Sequence, residues 1–303
     1  MFEKALQLDS KLFSKEKRIR AKRPSEYWLV FLKKQALTQQ KEGYSWAMLL
    51  FLIPILVFIF IIYSIFSDGS NGNTDYGNWF LGLFVFFIFI SVVVLFLHAG
   101  RKRAFVAPNA FDHLAKFIVK IKGDTFKNLI GISLDLSPIE NEANSMDLKL
   151  LGLKETRQTK FKPYQLERYQ ANLRLKDDSF CTASLYQISL KTTTTKRRSS
   201  GKTKTKSKHK HKFYYILSLK LKASDYQIIE PQEIIGHKGQ YEVSHRKENG
   251  FLMVKIKFKE KLLALPTKIT AKQKKKASIF TEMMEYLFKN KIVVPKSNKP
   301  KTF

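Results

Sequence analysis

The chain has 303 residues and a formal net charge of +30, with 55 Lys and Arg against 25 Asp and Glu. At 44% hydrophobic and 13% aromatic it can build a packed core, which excludes a disordered chain, and its charge directs long-range attraction toward phosphates of nucleic acid or lipid headgroups. A single cysteine, Cys181, excludes an intrachain disulfide, and with no base pattern beside it the expectation is a small buried residue on a strand.

Residues 1–45 form a basic segment, with eleven Lys or Arg against five Asp or Glu. Within it "RPSEYWLVFLKKQAL" predicts a helix. Pro24 suits a first turn, and Glu26 suits the positive end of the helix dipole. Tyr27, Trp28, Phe31 and Leu32 share one face flanked by Lys33 and Lys34. That face fits either a cytoplasmic membrane leaflet, as an interfacial amphipathic helix, or the soluble body of the protein.

Two uncharged runs follow. Residues 46–66 and 79–97 contain 21 and 19 residues, or about 31 Å and 28 Å of helix at 1.5 Å per residue, each enough for a bilayer core. Residues 67–78 join them through a Gly/Asn-rich turn with two Asp and no Lys or Arg. The reading is a transmembrane hairpin over 46–98. Basic residues precede it and Arg101, Lys102 and Arg103 follow it, so the positive-inside rule puts both termini in the cytoplasm and the chain in a bacterial inner membrane. Ser64, Ser91, Tyr63 and Pro54 are too few polar or helix-bending residues for an ion or proton relay, which leaves a passive anchor able to pack with copies of itself.

Residues 101–294 read as a cytoplasmic β-rich domain. "APNAFDHLAKFIVKI" opens it with Phe111, Leu114, Ile118 and Ile121 at helical spacing. The period then changes to two: Ile132, Leu134 and Leu136, then Leu173 and Leu175, then Leu217, Leu219 and Leu221 alternate with polar residues, as half-buried strands do. "KDDS" at 176–179 and "ENG" at 248–250 predict hairpin turns, the second through the favoured Asn249-Gly250 pair. Beyond it Val254, Ile256 and Phe258 face in while Lys255, Lys257 and Lys259 face out. "SIFTEMMEYLFKN" carries one broad apolar stripe and is expected as a helix closing the open face of the sheet. Residues 295–303 are a basic tail. The expected fold class is therefore an α+β membrane protein, a two-helix transmembrane hairpin followed by a mostly antiparallel β-sheet cytoplasmic domain with flanking helices.

One stretch concentrates the charge. "KTTTTKRRSSGKTKTKSKHKHK", residues 191–212, holds ten Lys or Arg, two His and no acid. Lying between two strand-like runs, it reads as a long basic loop at the tip of a hairpin. Its candidate lipid- or phosphate-binding residues are Lys196, Arg197, Arg198, Lys202, Lys204, Lys206, Lys208, Lys210 and Lys212. "SSGKT" resembles the end of a phosphate-binding P-loop, but Lys196 occupies the position of the first glycine and a strand, not a helix, is expected after it. His209 and His211 are set among lysines whose charges oppose a divalent cation, so neither metal nor other cofactor is expected.

The partners implied are an anionic membrane leaflet first, then nucleic acid or an acidic protein, with self-association also open. Phe213, Tyr214 and Tyr215 beside the stretch either stack bases or alternate between core and outer face. The function expected is a membrane-anchored, non-enzymatic binding or scaffold module. The alternatives are an accessory subunit of an oligomeric transport or channel assembly, or a membrane-bound enzyme drawing on Asp177, Asp178, Glu230, Glu233, His237 and His245.

Overall fold

A computed structural model describes residues 2–41, 108–197, 199–229, 241–262 and 277–296. The chain divides into two compact units, of which residues 1–35 with 106–303 form the first. Among the described residues four α-helices, α1 (Phe2–Glu16), α2 (Ser25–Lys41), α3 (Pro108–Ile121) and α4 (Ile279–Lys289), accompany nine strands. The strands are β1 (Arg18–Pro24), β2 (Thr125–Asp135), β3 (Thr159–Leu175), β4 (Phe180–Arg197), β5 (Thr203–Lys222), β6 (Tyr226–Ile228), β7 (Tyr241–Glu248), β8 (Phe251–Leu262) and β9 (Val293–Pro295). Seven of them form one antiparallel sheet in the order β1-β2-β3-β4-β5-β8-β7, and β6 pairs with β9 apart from it.

The sheet forms where the sequence alternates. Ile132 and Leu134 of β2, Leu173 and Leu175 of β3, Cys181, Ala183 and Leu185 of β4, Leu217, Leu219 and Leu221 of β5, and Val254 and Ile256 of β8 are all buried on one face. Asn249 and Gly250 make a two-residue turn, both with positive φ (49° and 75°), and the strands leave it in register as Glu248↔Phe251. Asp178 takes φ 65° in the β3–β4 turn at 176–179. Both turns match the sequence reading.

Helices cover the buried face. Phe280 of α4 meets Tyr215 at 5.7 Å and Phe117 of α3 at 5.5 Å between ring centroids. His113 of α3 fixes the start of α4: Ile279 N donates to His113 Nδ1 at 3.3 Å, and Ser278 Oγ donates to the His113 carbonyl at 2.6 Å. The stripe on residues 279–288 thus closes the sheet as its spacing implies. Helix α2 settles the choice left open for residues 25–35. Trp28 and Phe31 are 0% exposed, and the Trp28 indole donates to the Ile130 carbonyl at 2.9 Å, so this face packs on the sheet and not on a leaflet.

The membrane part of the expected fold class is corrected. Among the described residues no helix is long and apolar enough to cross a membrane. What is seen is a mostly antiparallel β-sheet with four short helices, and the two-helix transmembrane hairpin is not seen. The physical reason lies in the helices: each is amphipathic and carries charges within its length, such as Asp9 and Lys11 in α1, Lys33 and Lys34 in α2, Asp112 and Lys116 in α3, and Glu282 and Glu285 in α4. Such helices bury one stripe on a sheet and wet the other. The runs 46–66 and 79–97 and their joining turn lie outside the described residues. The integral-membrane localisation built on them gives way to the same finding.

The N-terminal segment also departs from expectation. It contributes α1 and an edge strand: β1 pairs with β2 from Arg18↔Asp135 to Pro24↔Leu129. Phe13 of α1 is buried against Phe31, and the Tyr27 hydroxyl donates to Asp9 Oδ2 at 2.6 Å while Arg23 reaches the same oxygen at 3.3 Å.

Trp28→Ala is expected to lower the unfolding free energy by about 3–5 kcal/mol, the cost of a large cavity with a lost buried hydrogen bond. Urea denaturation followed by circular dichroism reads this. A change under about 1 kcal/mol would mean that α2 is not part of the core.

Candidate functional site

Alternation along β5 sorts its side chains onto two faces. Phe213, Tyr215, Leu217, Leu219 and Leu221 turn toward the helices and are buried, so Lys212, Tyr214, Ile216, Ser218 and Lys220 stand on the other face. Extending the same period outward along the strand places Lys204, Lys206, Lys208 and Lys210 in line with Lys212. Lys196, directly across from Lys204, joins them from β4.

The stretch read as a loop is in fact paired strand. Strands β4 and β5 stay in register from Phe180↔Lys220 to Arg197↔Thr203, with a turn at residues 199–201 in which Gly201 takes φ 76°. Two features relieve the like-charge repulsion. The pleat spaces same-face lysines about 6.8 Å apart along the strand. Threonines and serines occupy the opposite face, where the Thr193 and Ser207 hydroxyls meet at 3.3 Å and those of Thr195 and Thr205 at 3.4 Å. Gly201 leads into β5 rather than a helix, so the P-loop resemblance has no helix N-terminus behind it.

Of the nine candidate residues, Lys196, Lys204, Lys206, Lys208, Lys210 and Lys212 share one face, while Arg197 and Lys202 lie at the tip. Arg198 lies outside the described residues. Among the described residues none of these cations is ion-paired, whereas Lys191, on the opposite face, meets Glu140 at 2.9 Å. Strand β3 accompanies β4 out to Thr159↔Thr194, but β8 leaves β5 at His211↔Leu262. The edge of β5 from Thr203 to Lys210 is therefore unpaired among the described residues.

The row continues inward. Lys255, Lys257 and Lys259 of β8 lie on the same face, beside Ser218, Ile216 and Tyr214. Lys259 Nζ sits 5.8 Å from the Tyr214 ring centroid, and Lys257 reaches Glu242 at 3.8 Å. Tyr214 is directly opposite Tyr186 of β4. Both side chains are half-buried, on the face that none of the described helices covers. Phe213 and Tyr215 are core, so only Tyr214 of the three adjoining aromatics is available to a ligand. The sequence reading did not single out Tyr186. The alternation of "SLYQISL", with buried Leu185 and Gln187 on either side of Tyr186, is the signal that places it.

Beneath the arm the apolar core ends in a polar chain. A bulge in β3 between Glu167 and Tyr169 turns Arg168 inward beside Tyr169, and Arg168 is 1% exposed. Its guanidinium donates to Gln187 Oε1 at 2.7 Å and to the carbonyls of Ser137 at 2.7 Å and Asp135 at 3.3 Å. Burial pulls its pKa down to about 10, with Asp135 opposing the shift. Arginine only donates, so the Gln187 oxygen faces it and the Gln187 Nε2 donates to His211 Nδ1 at 3.2 Å. His211 Nδ1 must then be unprotonated. Burial first, then His209 and Arg168, hold the His211 pKa below the ordinary histidine range, while Glu140 pulls the other way. His209 Nδ1 lies 3.2 Å from Glu140 Oε1.

The enzyme candidates do not converge. Asp177 and Asp178 line a cavity of about 950 Å³ with Tyr226, Met284 and Phe288, but both carboxylates are engaged. Asp177 accepts from Tyr226 OH at 2.7 Å and Ser179 Oγ at 3.0 Å, and Asp178 pairs with Arg174 at 2.6 Å and Lys222 at 3.1 Å. Those hydrogen bonds and charges hold the Asp178 carboxyl below the usual carboxylate range. His245 is exposed on β7 and does not line that cavity. Glu230, Glu233 and His237 lie outside the described residues. Cys181 is buried and its thiol is pushed up to about 12 by desolvation, far from a nucleophile's range.

Compared with known proteins, the chain matches no family, no curated protein and no solved structure.

Because the folded-state pKa of His211 is depressed, its contribution to stability is full above about pH 6.5 and is lost progressively as pH falls toward the folded value. Thermal melts of the full chain are expected to show a Tm decrease below about pH 6.5 that is smaller in His211→Asn. Superimposable pH profiles for the two proteins would show that His211 titrates as it does in the unfolded chain.

Proposed function

We propose that this chain is a non-enzymatic binding module that docks a polyanionic partner on the lysine-lined face of its sheet and on the β4–β5 arm. The observation that carries the reading is the row Lys204, Lys206, Lys208, Lys210 and Lys212, aligned on one face of one strand without ion-pair partners among the described residues. Holding like charges in register on a strand is unfavourable in isolation, and a line of phosphates removes that cost while releasing condensed counterions. Lysine also guards an exposed strand edge against pairing with other chains. Edge protection alone does not account for Lys255 and Lys259 on β8, which is an interior strand flanked by β5 and β7. Three further observations support a binding role over catalysis: Asp177 is held by hydrogen bonds and Asp178 by ion pairs, Cys181 is buried, and His209 and His211 are tied to Glu140 and Gln187.

Replacing Lys204, Lys206, Lys208 and Lys210 together by Gln is expected to weaken binding of the full chain to inorganic polyphosphate. The slope of log affinity against log salt should fall by about 0.7 for each lost contact, the value for a flexible strand. Titration at several salt concentrations gives the slope. Equal slopes for the variant and the parent would remove the arm from the account, and no binding by the parent would end the proposal.

A further inference from the structure

The lysine row alone fits any chain of phosphates; the aromatic pair beside it is more selective. Tyr186 and Tyr214 occupy directly opposed positions on adjacent strands, where side chains lie about 5 Å apart, and both stand on the face that none of the described helices covers. Along β4, Ile188 follows Tyr186 on that face; along β5, Ile216 follows Tyr214. The pair and its aliphatic flank form an apolar strip in the middle of the sheet. Lys212 borders it toward the arm, and Lys257 and Lys259 border it on β8. Lys259 already lies against the Tyr214 ring. The strip has π-faces at its centre, cations along its arm and β8 margins, and Glu167 on its β3 side.

Resting on the polyanion-binding reading above, we infer that the partner is a single-stranded nucleic acid, whose bases stack on Tyr186 and Tyr214 while its phosphates follow the lysines of β5 and β8. Unstacked bases supply flat π-surfaces for two tyrosines. A duplex keeps its bases stacked inside, and inorganic polyphosphate and lipid headgroups have none. The same-face lysine spacing of about 6.8 Å matches one cation to each step of an extended strand. A sheet face this broad does not enter a duplex groove, which admits a helix or a two-stranded ribbon. Recognition by stacking and charge is tolerant of sequence, so no particular base order is implied. The Tyr186 hydroxyl interacts with Glu167, directly across from it on β3, and the Tyr186 side chain is half-buried.

The test uses the full chain and four probes: a labelled oligouridylate of roughly 12 nucleotides, within the usual site size for one sheet platform, a duplex of the same length, inorganic polyphosphate of matched charge, and vesicles containing anionic lipid. The wild-type chain is expected to bind the single strand most tightly. Tyr186→Leu with Tyr214→Leu keeps apolar bulk on the sheet, so the fold should survive, as far-ultraviolet circular dichroism will show. This variant is expected to lose roughly 10- to 100-fold in affinity for the oligouridylate with polyphosphate binding unchanged, and Tyr→Phe at both positions should restore stacking. Unchanged oligouridylate affinity in the Leu variant would overturn the inference while leaving the polyanion reading intact. Tighter binding of the duplex, of polyphosphate or of vesicles than of the single strand would do the same. Failure of every probe to bind the wild-type chain would overturn both.

Discussion

One constraint runs through the described residues: the pleat sends successive side chains of a strand to opposite faces, and the described helices cover one face of this sheet. On β5 this single rule accounts for the core and for the candidate site together. Phe213, Tyr215 and Leu217 are buried because α4 lies over them, and Lys212 and Tyr214 are held on the open face for the same reason. The lysine row is not an appendage to the fold. Its direction is fixed by the apolar residues that continue β5 inward from Phe213, and paired strands place its charges more precisely than a loop would.

The transition from core to arm needs a different device, because the apolar positions on the inner face run out at Phe213 and Leu185. The bulge at Arg168 supplies it by turning a cation inward where Gln187, Ser189 and His211 replace hydrophobic neighbours. Three acceptors satisfy the guanidinium, and the donors pass outward in one direction from Arg168 through Gln187 to His211. A buried arginine is tolerated only with such partners. Glu140 then closes the inner face of the arm by meeting both Lys191 and His209. Among the described residues, the acid paired to the arm thus sits on the face opposite the lysine row.

Much of this was legible in the residues. Period-two alternation located β2, β5 and β8, Asn249-Gly250 gave its hairpin, and the stripes on residues 111–121 and 279–288 gave α3 and α4. The arm was misread because its charge was weighed above its period: "TKTKSKHKHK" alternates as strictly as any core strand, but the alternation is lysine against Thr, Ser and His rather than apolar against polar. Strand β1 was missed for a related reason, since Ile19 and Ala21 are small signals among Arg18, Arg20 and Lys22. For α2, the stripe was visible but not its counterpart, because a helix that lies on a leaflet and one that packs on a sheet share one pattern. The bulge at Arg168, and with it the buried polar chain, has no local sequence signature; it arises from the pairing of β3 with β4.

The unbroken register of the arm has an evolutionary corollary. A single residue gained or lost within β4 or β5 would swap the two faces beyond that point, turning lysines toward Glu140 and threonines outward. Length changes that keep the charged ridge intact must therefore come as matched pairs on both strands or be confined to the turn around 199–201. Related chains, if they vary in this region, are free to differ in reach by whole pleats, and so to lengthen or shorten the basic ruler without altering its spacing.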